Sequence, residues 1–326
     1  MNSSKTAAYI AFSILGVFCI AHSAAHAAWP DRPITVVLPT VAGSSFDINI
    51  RKLSEIVGKS LGQPLVIDNK PGAGGAIAMT SVARANPDGY TIGIGNTPSL
   101  AITPELGAKV AYDTGKSFSY ISRFTSQANV LVVHKSLPVK TVEELTAYAK
   151  KNPGKLSMGS QGIGSTGHLS GEIYKAMTGA DFVHVPYRGG PQAIQDLVGG
   201  RVDFIFENTS TIESYLAEGS VRPLAVTSSD RLGRFPKIPT MKEAGIKDFE
   251  ATVWTVVLAP AGIPTPVSDR LNRAINAALS SPEFRKFLVE RGTVPHGGSS
   301  ADARTFVLKE QEKWRDVIKR TGATNR

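Results

Sequence analysis

From Ile34 onward the chain repeats one pattern: a short β-branched run, a Gly- or Ser-rich turn, then an amphipathic helical stretch. Strands followed by helices rather than by hairpin partners pair in parallel, so this recurrence predicts an α/β fold. Ile34-Thr35-Val36-Val37-Leu38 reads as a buried parallel strand. Residues 47–61 read as a helix with Ile48, Leu53, Ile56, Val57 and Leu61 inward and Asp47 placed to cap it. Leu65-Val66-Ile67 gives a second strand, residues 76–85 a helix, and residues 90–94 a third strand that opens into Gly95-Asn96-Thr97-Pro98.

Residues 120–134 carry the longest extended pattern, and part of it is expected to cross into a second series of the same kind. That series comprises helices at 142–151, 168–178 and 192–199 and strands at 156–158, 182–185, 204–206 and 224–226. Residues 254–259 read as the return crossing, after which helices at 266–279, 282–291 and 301–320 complete the first unit. The expected architecture is two α/β lobes joined by two crossover strands, with residues 28–124 plus 254–326 in lobe 1 and residues 125–253 in lobe 2. A cleft between two such lobes favours an anion, because helix N-termini present free N–H groups at the C-terminal ends of parallel strands.

The N-terminus points to export. Lys5 precedes an uncharged apolar run at 7–21, and Ala25-His26-Ala27 supplies the small residues of a cleavage site, so residues 1–27 read as a signal peptide cut near Ala27. An uncleaved anchor is the alternative, although the run is short for a membrane span. The only cysteine, Cys19, leaves with that segment, and Phe18 before it is too large for a lipobox. Disulfides, thiolate catalysis and cysteine-ligated metals are thereby excluded from the mature chain. Its charge is 35 basic side chains (36 less Lys5) against 27 acidic, a net +8 that favours encounter with anions. The basic residues are scattered and not interleaved with aromatics, so nucleic acid is not an expected partner.

Several motifs carry chemistry. Gly162-Ile163-Gly164-Ser165-Thr166-Gly167 matches a dinucleotide-binding fingerprint, but the next strand ends in Pro186-Tyr187-Arg188 instead of an acidic residue. Arg188 would suit only a 2′-phosphorylated cofactor. The same loop reads as a carboxylate cradle, with the Ser165 and Thr166 hydroxyls and successive backbone N–H groups facing a ligand, or simply as a turn that needs glycine. Ser160 or Ser165 with His168 could be cast as a hydrolase pair, but no G-x-S-x-G elbow is present. The dispersed His134, His168, His184 and His296 lack metal-ligand spacing. Glu207-Asn208, at a strand end, would meet a ligand or cap the next segment; Glu207 would accept from a ligand donor or repel a second carboxylate. In lobe 1 the matching cradle is the loop 39–47, with Gly43, Ser44, Ser45 and Asp47.

These residues resemble the extracytoplasmic solute receptors of tripartite tricarboxylate transporters, the Bug family, over nearly the whole mature chain. The likeness rests on Trp29-Pro30-Asp31-Arg32-Pro33-Ile34, Asp68-Asn69-Lys70-Pro71-Gly72-Ala73-Gly74-Gly75, Pro87-Asp88-Gly89-Tyr90, His184-Val185-Pro186-Tyr187-Arg188-Gly189, Leu224-Ala225-Val226-Thr227-Ser228, Ile238-Pro239-Thr240 and Leu258-Ala259-Pro260-Ala261-Gly262. The resemblance implies a type II periplasmic-binding-protein fold and a monomeric, non-enzymatic receptor without cofactor or metal. Such a receptor captures a small carboxylate by lobe closure and delivers it to membrane permease subunits. The alternative is a sensor docking on a membrane histidine kinase. The resemblance maps ligand contacts onto Gly43 to Asp47, Asn96-Thr97 and Ser160 to His168, and the full set of expected ligand-binding residues is, in the first lobe, Gly43, Ser44, Ser45, Asp47, Ala73, Gly74, Asn96 and Thr97. In the second lobe they are Ser160, Gln161, Gly164, Ser165, Thr166, His168, Tyr187, Arg188, Glu207 and Asn208. Thr40 stands where the family usually has an aromatic and Ser44 where it has a second glycine, while Glu207 stands where Asp is commoner, which bears on pocket size and polarity.

Overall fold

The computed structural model describes residues 29–107 and 109–322; the segment read as a signal peptide, with Cys19 and Ala27, lies outside the described residues. β1 (Ile34–Leu38) leads through loop 39–44 into α1 (Ser45–Leu61), β2 (Leu65–Asn69), a 3₁₀ turn (Ala73–Gly75), α2 (Ala76–Ala83) and β3 (Thr91–Asn96). β1 lies parallel between β2 and β3, with Ile34 opposite Leu65 and Val36 opposite Ile92. A π-helical turn (Pro98–Ile102) follows, and then β4 (Phe118–Val133) runs for 16 residues.

The second series is α3 (Val142–Lys151), β5 (Leu156–Ser160), α4 (Thr166–Thr178), β6 (Phe182–Pro186), α5 (Gly190–Val198), β7 (Phe204–Asn208), α6 (Thr209–Ala217) and β8 (Arg222–Val226). β5 lies parallel between β6 and β7. β9 (Thr252–Pro260) then returns the chain to the first sheet, and α7 (Thr265–Ser280), α8 (Pro282–Glu290), β10 (Val294–Gly297) and α9 (Ser300–Thr321) finish it.

One strand serves both sheets. The N-terminal part of β4 pairs with β9, from Phe118 opposite Pro260 to Ala128 opposite Thr252, and Ser126 also faces Val294 of β10. Beyond it, Asn129 to Val133 pair with Asn208 to Phe204 of β7, and Val130 faces Val226 of β8. The two sheets are therefore built alike, each with three parallel strands (β2-β1-β3 and β6-β5-β7) flanked by an antiparallel strand, β9 beside β3 and the C-terminal part of β4 beside β7, and β4 pairs in both. The expected pair of α/β sheets joined by two crossing strands is what the chain forms.

The cores follow from these faces. Ile50, Leu53 and Val57 of α1 pack with Phe124, Val257, Ile275 and Leu288 under the first sheet. Ala193, Ile194 and Leu197 of α5 pack with Ile205 and Val226 under the second. A third layer runs through the junction, from Met79 and Leu100 past Trp254 and Trp314 to Tyr174 and Phe206. α9 packs on β4, on the Pro98–Ile102 turn and on α4, so it touches both halves. Trp254 and Trp314 are both fully buried, and side chains of that size contribute on the order of 2–3 kcal/mol each through burial.

Three expectations are corrected. The first helix starts at Ser45 with Ser44 as its cap, two residues before the expected start. Residues 209–217, expected at most to be capped by Asn208, form α6, and Asn208 makes no side-chain cap bond. β10 was not anticipated, because Pro295 sits in it; it is tolerated on a strand at the sheet margin.

Candidate functional site

The first-lobe loop begins where β1 ends. Ser44, in extended geometry (φ −67°, ψ 158°), accepts a hydrogen bond from the Asp47 N–H at 3.2 Å and shares one with the Thr40 hydroxyl at 3.1 Å. Asp47 is 1% exposed and does not open toward solvent. Its Oδ2 accepts from the Gly43 N–H (2.9 Å) and Arg51 Nε (2.8 Å), and its Oδ1 accepts from Asn69 Nδ2 (2.9 Å). Asn69 also donates to the Thr40 carbonyl at 3.0 Å and accepts from Arg51 Nη2 at 3.1 Å. Burial works to raise the Asp47 carboxyl, but the bonds from Arg51, the Gly43 N–H and Asn69 outweigh it and hold it below its ordinary value. Asp47, expected from the sequence as a ligand contact, thus ties the loop to α1 and to the end of β2. Ser45 opens α1; its side chain is not among the described features.

The other first-lobe segments meet this loop at Gly75. A Cβ there would lie 2.6 Å from the Ser99 Cβ and 3.1 Å from the Pro39 Cβ, so the end of β1, the Ala73–Gly75 turn and the turn after β3 are in close approach. Ala73 (φ 48°) and Gly74 (φ 61°) are exposed left-handed positions of that turn. Asn96 is consumed locally, its Oδ1 accepting from the Ser99 N–H at 3.0 Å. Thr97, fully buried, accepts from the Trp254 N–H at 2.9 Å and donates to the Thr252 carbonyl at 3.3 Å, which ties the end of β3 to the returning crossover strand. Its hydroxyl thus has its partners within the protein.

The second-lobe loop is built the same way. Ser165 (φ −71°, ψ 159°) caps α4 by accepting from the His168 N–H at 3.1 Å, which leaves the hydroxyl proton free to donate. Gly162 and Gly164, at φ 117° and 77°, take the backbone through conformations that other residues rarely adopt. The Gly164 N–H donates to His168 Nδ1 at 3.2 Å, and the imidazole stacks on His184 with ring centroids 4.2 Å apart. Burial lowers His168 and His184 to about 4, so both rings are neutral near pH 7. Ser160, fully buried, shares a 2.7 Å hydrogen bond with His184 Nε2 and accepts from the Gly162 N–H at 3.1 Å. Thr166 is buried in the first turn of α4, while Arg188 is exposed. Tyr187 spends its hydroxyl on Asp196 at 2.7 Å, itself paired with Arg201.

At the end of β7, Glu207 is 1% exposed and Gln161 donates to the Phe206 carbonyl at 3.0 Å. The two halves touch here: Leu106, which follows the Pro98–Ile102 turn, lies 3.3 Å from where a Cβ on Gly164 would sit. Arg51, Asn69, His184 and Leu106 were absent from the expected site. Their only sequence signal was position, at a strand end, one turn into a helix, or in a loop.

Among the described residues no group of three or more His, Cys, Asp or Glu side chains is placed to hold a metal ion. Ser160 and His184 form a hydroxyl–imidazole pair, but among the described residues no carboxylate bonds to His184 to orient it, and Ser160 is closed to solvent.

Residues 49–323 match the tripartite tricarboxylate transporter family receptors. The chain belongs to that family. BugT of Bordetella pertussis is 33% identical over 316 residues, covering 95% of this chain and 97% of BugT. Among solved structures, Rpa4515 of R. palustris with adipate is 37% identical, with a TM-score of 0.85 over 91% of this chain and 99% of that one. MatC of Rhodopseudomonas palustris with bound malate is 31% identical, with a TM-score of 0.81 over 89% and 100%. The fold is thus the two-lobed fold of the family's periplasmic solute-binding receptors.

Proposed function

We propose that this receptor closes lobe 1 (residues 28–124 with 254–326) and lobe 2 (residues 125–253) on a small dicarboxylate, tricarboxylate or related organic acid. It then delivers the acid, unchanged, to the membrane permease subunits of a tripartite tricarboxylate-type transporter. The observation that carries the reading is the matched pair of serine-capped helix starts, Ser44 before α1 and Ser165 before α4, one in each half. Each sits at the C-terminal end of a parallel strand, where free N–H groups and the positive end of a helix dipole favour a carboxylate. Adipate and malate in the related structures support the ligand class. The change of pairing partner along β4, from β9 to β7, supports a division of the chain near Ala128.

The direct ligand contacts under this proposal are the Ser45 N–H, the Ala73–Gly75 turn, the Ser165 and Thr166 hydroxyls and the N–H groups of Ile163 and Thr166, the N–H groups of Gly43, Gly162, Gly164 and Ser165 having partners within the protein. Asp47, Thr97, Ser160 and His168 hold those groups in place. Export through a signal peptide cut near Ala27 and action as a periplasmic monomer complete the proposal; no helix of the described residues is long and apolar enough to cross a membrane.

A thermal-shift screen of the mature chain against adipate, malate, succinate and citrate tests it. An acid that binds only the folded protein raises Tm with concentration, by about 2.7 kcal/mol of added stability at one hundred times Kd. Ser165→Ala is expected to shrink that rise. No response to any acid of the panel would refute the reading.

A further inference from the structure

The two cradles differ in one pair of side chains. In the first-lobe loop the Thr40 and Ser44 hydroxyls lie 3.1 Å apart, one donating to the other, and Ser44 Oγ also accepts from the Asp47 N–H at 3.2 Å. Whichever hydroxyl donates, the pair keeps one O–H to give and lone pairs to accept. Both residues are half-buried, and Val41, Ala42 and Gly43 between them are exposed, so the pair sits at the mouth of the loop and is not sealed in the core.

Its place is fixed by the helix, because a cap side chain lies over the first turn, beside the N–H groups that the cap does not use. At the start of α1 the Gly43, Ser44 and Asp47 N–H groups are taken, by Asp47 Oδ2, the Val41 carbonyl and Ser44 Oγ, which leaves the Ser45 N–H next to the pair. The second lobe has no counterpart. Gln161 stands four residues before the cap Ser165, as Thr40 does before Ser44, but its amide nitrogen donates to the Phe206 carbonyl at 3.0 Å. Ser160 is committed to His184 and the Gly162 N–H. Glu207 is enclosed against the start of α5, where a Cβ on Gly190 would lie 2.6 Å from its Oε2.

Building on the carboxylate-receptor reading, we propose that Thr40 and Ser44 form a hydroxyl-recognising subsite of the first cradle, so that the receptor prefers acids with a hydroxyl on the carbon next to a carboxylate. The carboxylate takes the Ser45 N–H and the positive end of α1, which brings the neighbouring hydroxyl to the pair. An alcohol matches the pair because it donates and accepts at a single oxygen, as the pair does. A methylene in the same place displaces water from both hydroxyls and makes no bond to either. Because the pair keeps its internal bond and is only half-buried, the discrimination is about 10-fold, far below the ~10⁴-fold of a sealed site. The subsite also orients the ligand, with its hydroxylated end in lobe 1.

The test is calorimetric titration of the mature chain, Thr40→Val and Thr40→Ser with succinate and the two enantiomers of malate, which differ from succinate by one hydroxyl, at about pH 7.5, where all three acids are ionised. The wild-type chain is expected to bind one malate enantiomer at least ~10-fold more tightly than succinate. Thr40→Val, close in shape, should bring that ratio below ~3-fold by losing malate while holding succinate within ~2-fold, and Thr40→Ser should restore it. A wild-type chain that binds succinate as tightly as either malate overturns the proposal, whether or not the variants fold. So does a ratio that Thr40→Val leaves unchanged, an equal loss of all three acids in that variant, or a ratio that Thr40→Ser fails to restore. If none of the three acids binds the wild-type chain, the proposal falls, and the carboxylate-receptor reading falls with it only when adipate and citrate also fail to bind.

Discussion

Replacing Glu207 by Gln keeps the size of the side chain and removes its ability to ionise, so it isolates the cost of burying the charge. Burial raises the carboxyl from an ordinary 4.5 to about 7, against smaller opposing contributions from Gln161 and the Asn208 N–H. At ~1.4 kcal/mol per pH unit, that gap corresponds to about 3 kcal/mol. The start of α5 acts in the opposite direction, but a helix dipole near a single charge contributes only ~0.3–1 kcal/mol, and desolvation wins. Below pH 4.5 the carboxyl is neutral in both folded and unfolded chains, and no cost arises. Between 4.5 and about 7 the unfolded chain ionises while the folded one stays neutral, so stability falls as pH rises; above about 7 the cost is complete. Urea denaturation from pH 4.5 to 8.5 should therefore show Glu207→Gln gaining on the wild-type chain by up to ~3 kcal/mol as pH rises, then levelling off. Subtracting one protein from the other cancels the histidines, which titrate in both. A difference that stays constant with pH would show that folding leaves the Glu207 carboxyl unshifted, and one in which the wild-type chain gains at high pH would show that it is stabilised as an anion; either would refute the reasoning.

Four further outcomes follow from particular bonds. Asp47→Ala strands the Gly43 N–H and takes one bond each from Asn69 and Arg51, and is expected to cost ~3 kcal/mol in urea denaturation and to abolish the thermal shift by a bound acid. Thr97→Val leaves the Trp254 N–H without its acceptor, for a loss of ~1–3 kcal/mol that Thr97→Ser should largely restore. His168 and His184, lowered to about 4 by burial, contribute stability that is complete above the ordinary 6.5 and lost as pH falls toward 4; differential scanning calorimetry of His168→Phe should show a flatter fall in Tm over that range. Because Arg51 is committed to Asp47 and Asn69, and Arg188 is exposed, raising salt from about 50 to 500 mM is expected to weaken acid binding less than ~3-fold by calorimetry.

The positions of most strands and helices were readable from β-branched runs and apolar helical spacing, but strand ends were not. β2, β3, β5 and β7 each run past their apolar residues into polar ones: Asp68-Asn69, Gly95-Asn96, Gly159-Ser160 and Glu207-Asn208. Parallel pairing uses backbone groups and is indifferent to side-chain polarity, so Asn69 still lies opposite Leu38 and Ser160 opposite Pro186. Asn69, Asn96, Ser160 and Glu207-Asn208 among those overrun residues lie at the candidate site. The site's loops were legible as glycine- and serine-rich segments before helices, while the partners that hold them were not. Asn69 reaches Asp47 across 22 residues, His184 reaches Ser160 across 24 and Thr97 reaches Trp254 across 157, and each pairing depends on strand order.

The two loops solve one problem with different chemistry. Ser44 and Ser165 have nearly the same backbone angles, and each accepts the N–H of the residue three positions on. That third position is Asp47 in one loop and His168 in the other. Asp47 reaches back to the Gly43 N–H and balances its charge on Arg51, while His168 reaches back to the Gly164 N–H as a neutral ring. Both side chains hold a glycine N–H inward and bring no net charge to the loop. The attraction for an anion then falls to the N–H groups and hydroxyls that remain, and to the positive ends of the two helix dipoles behind them.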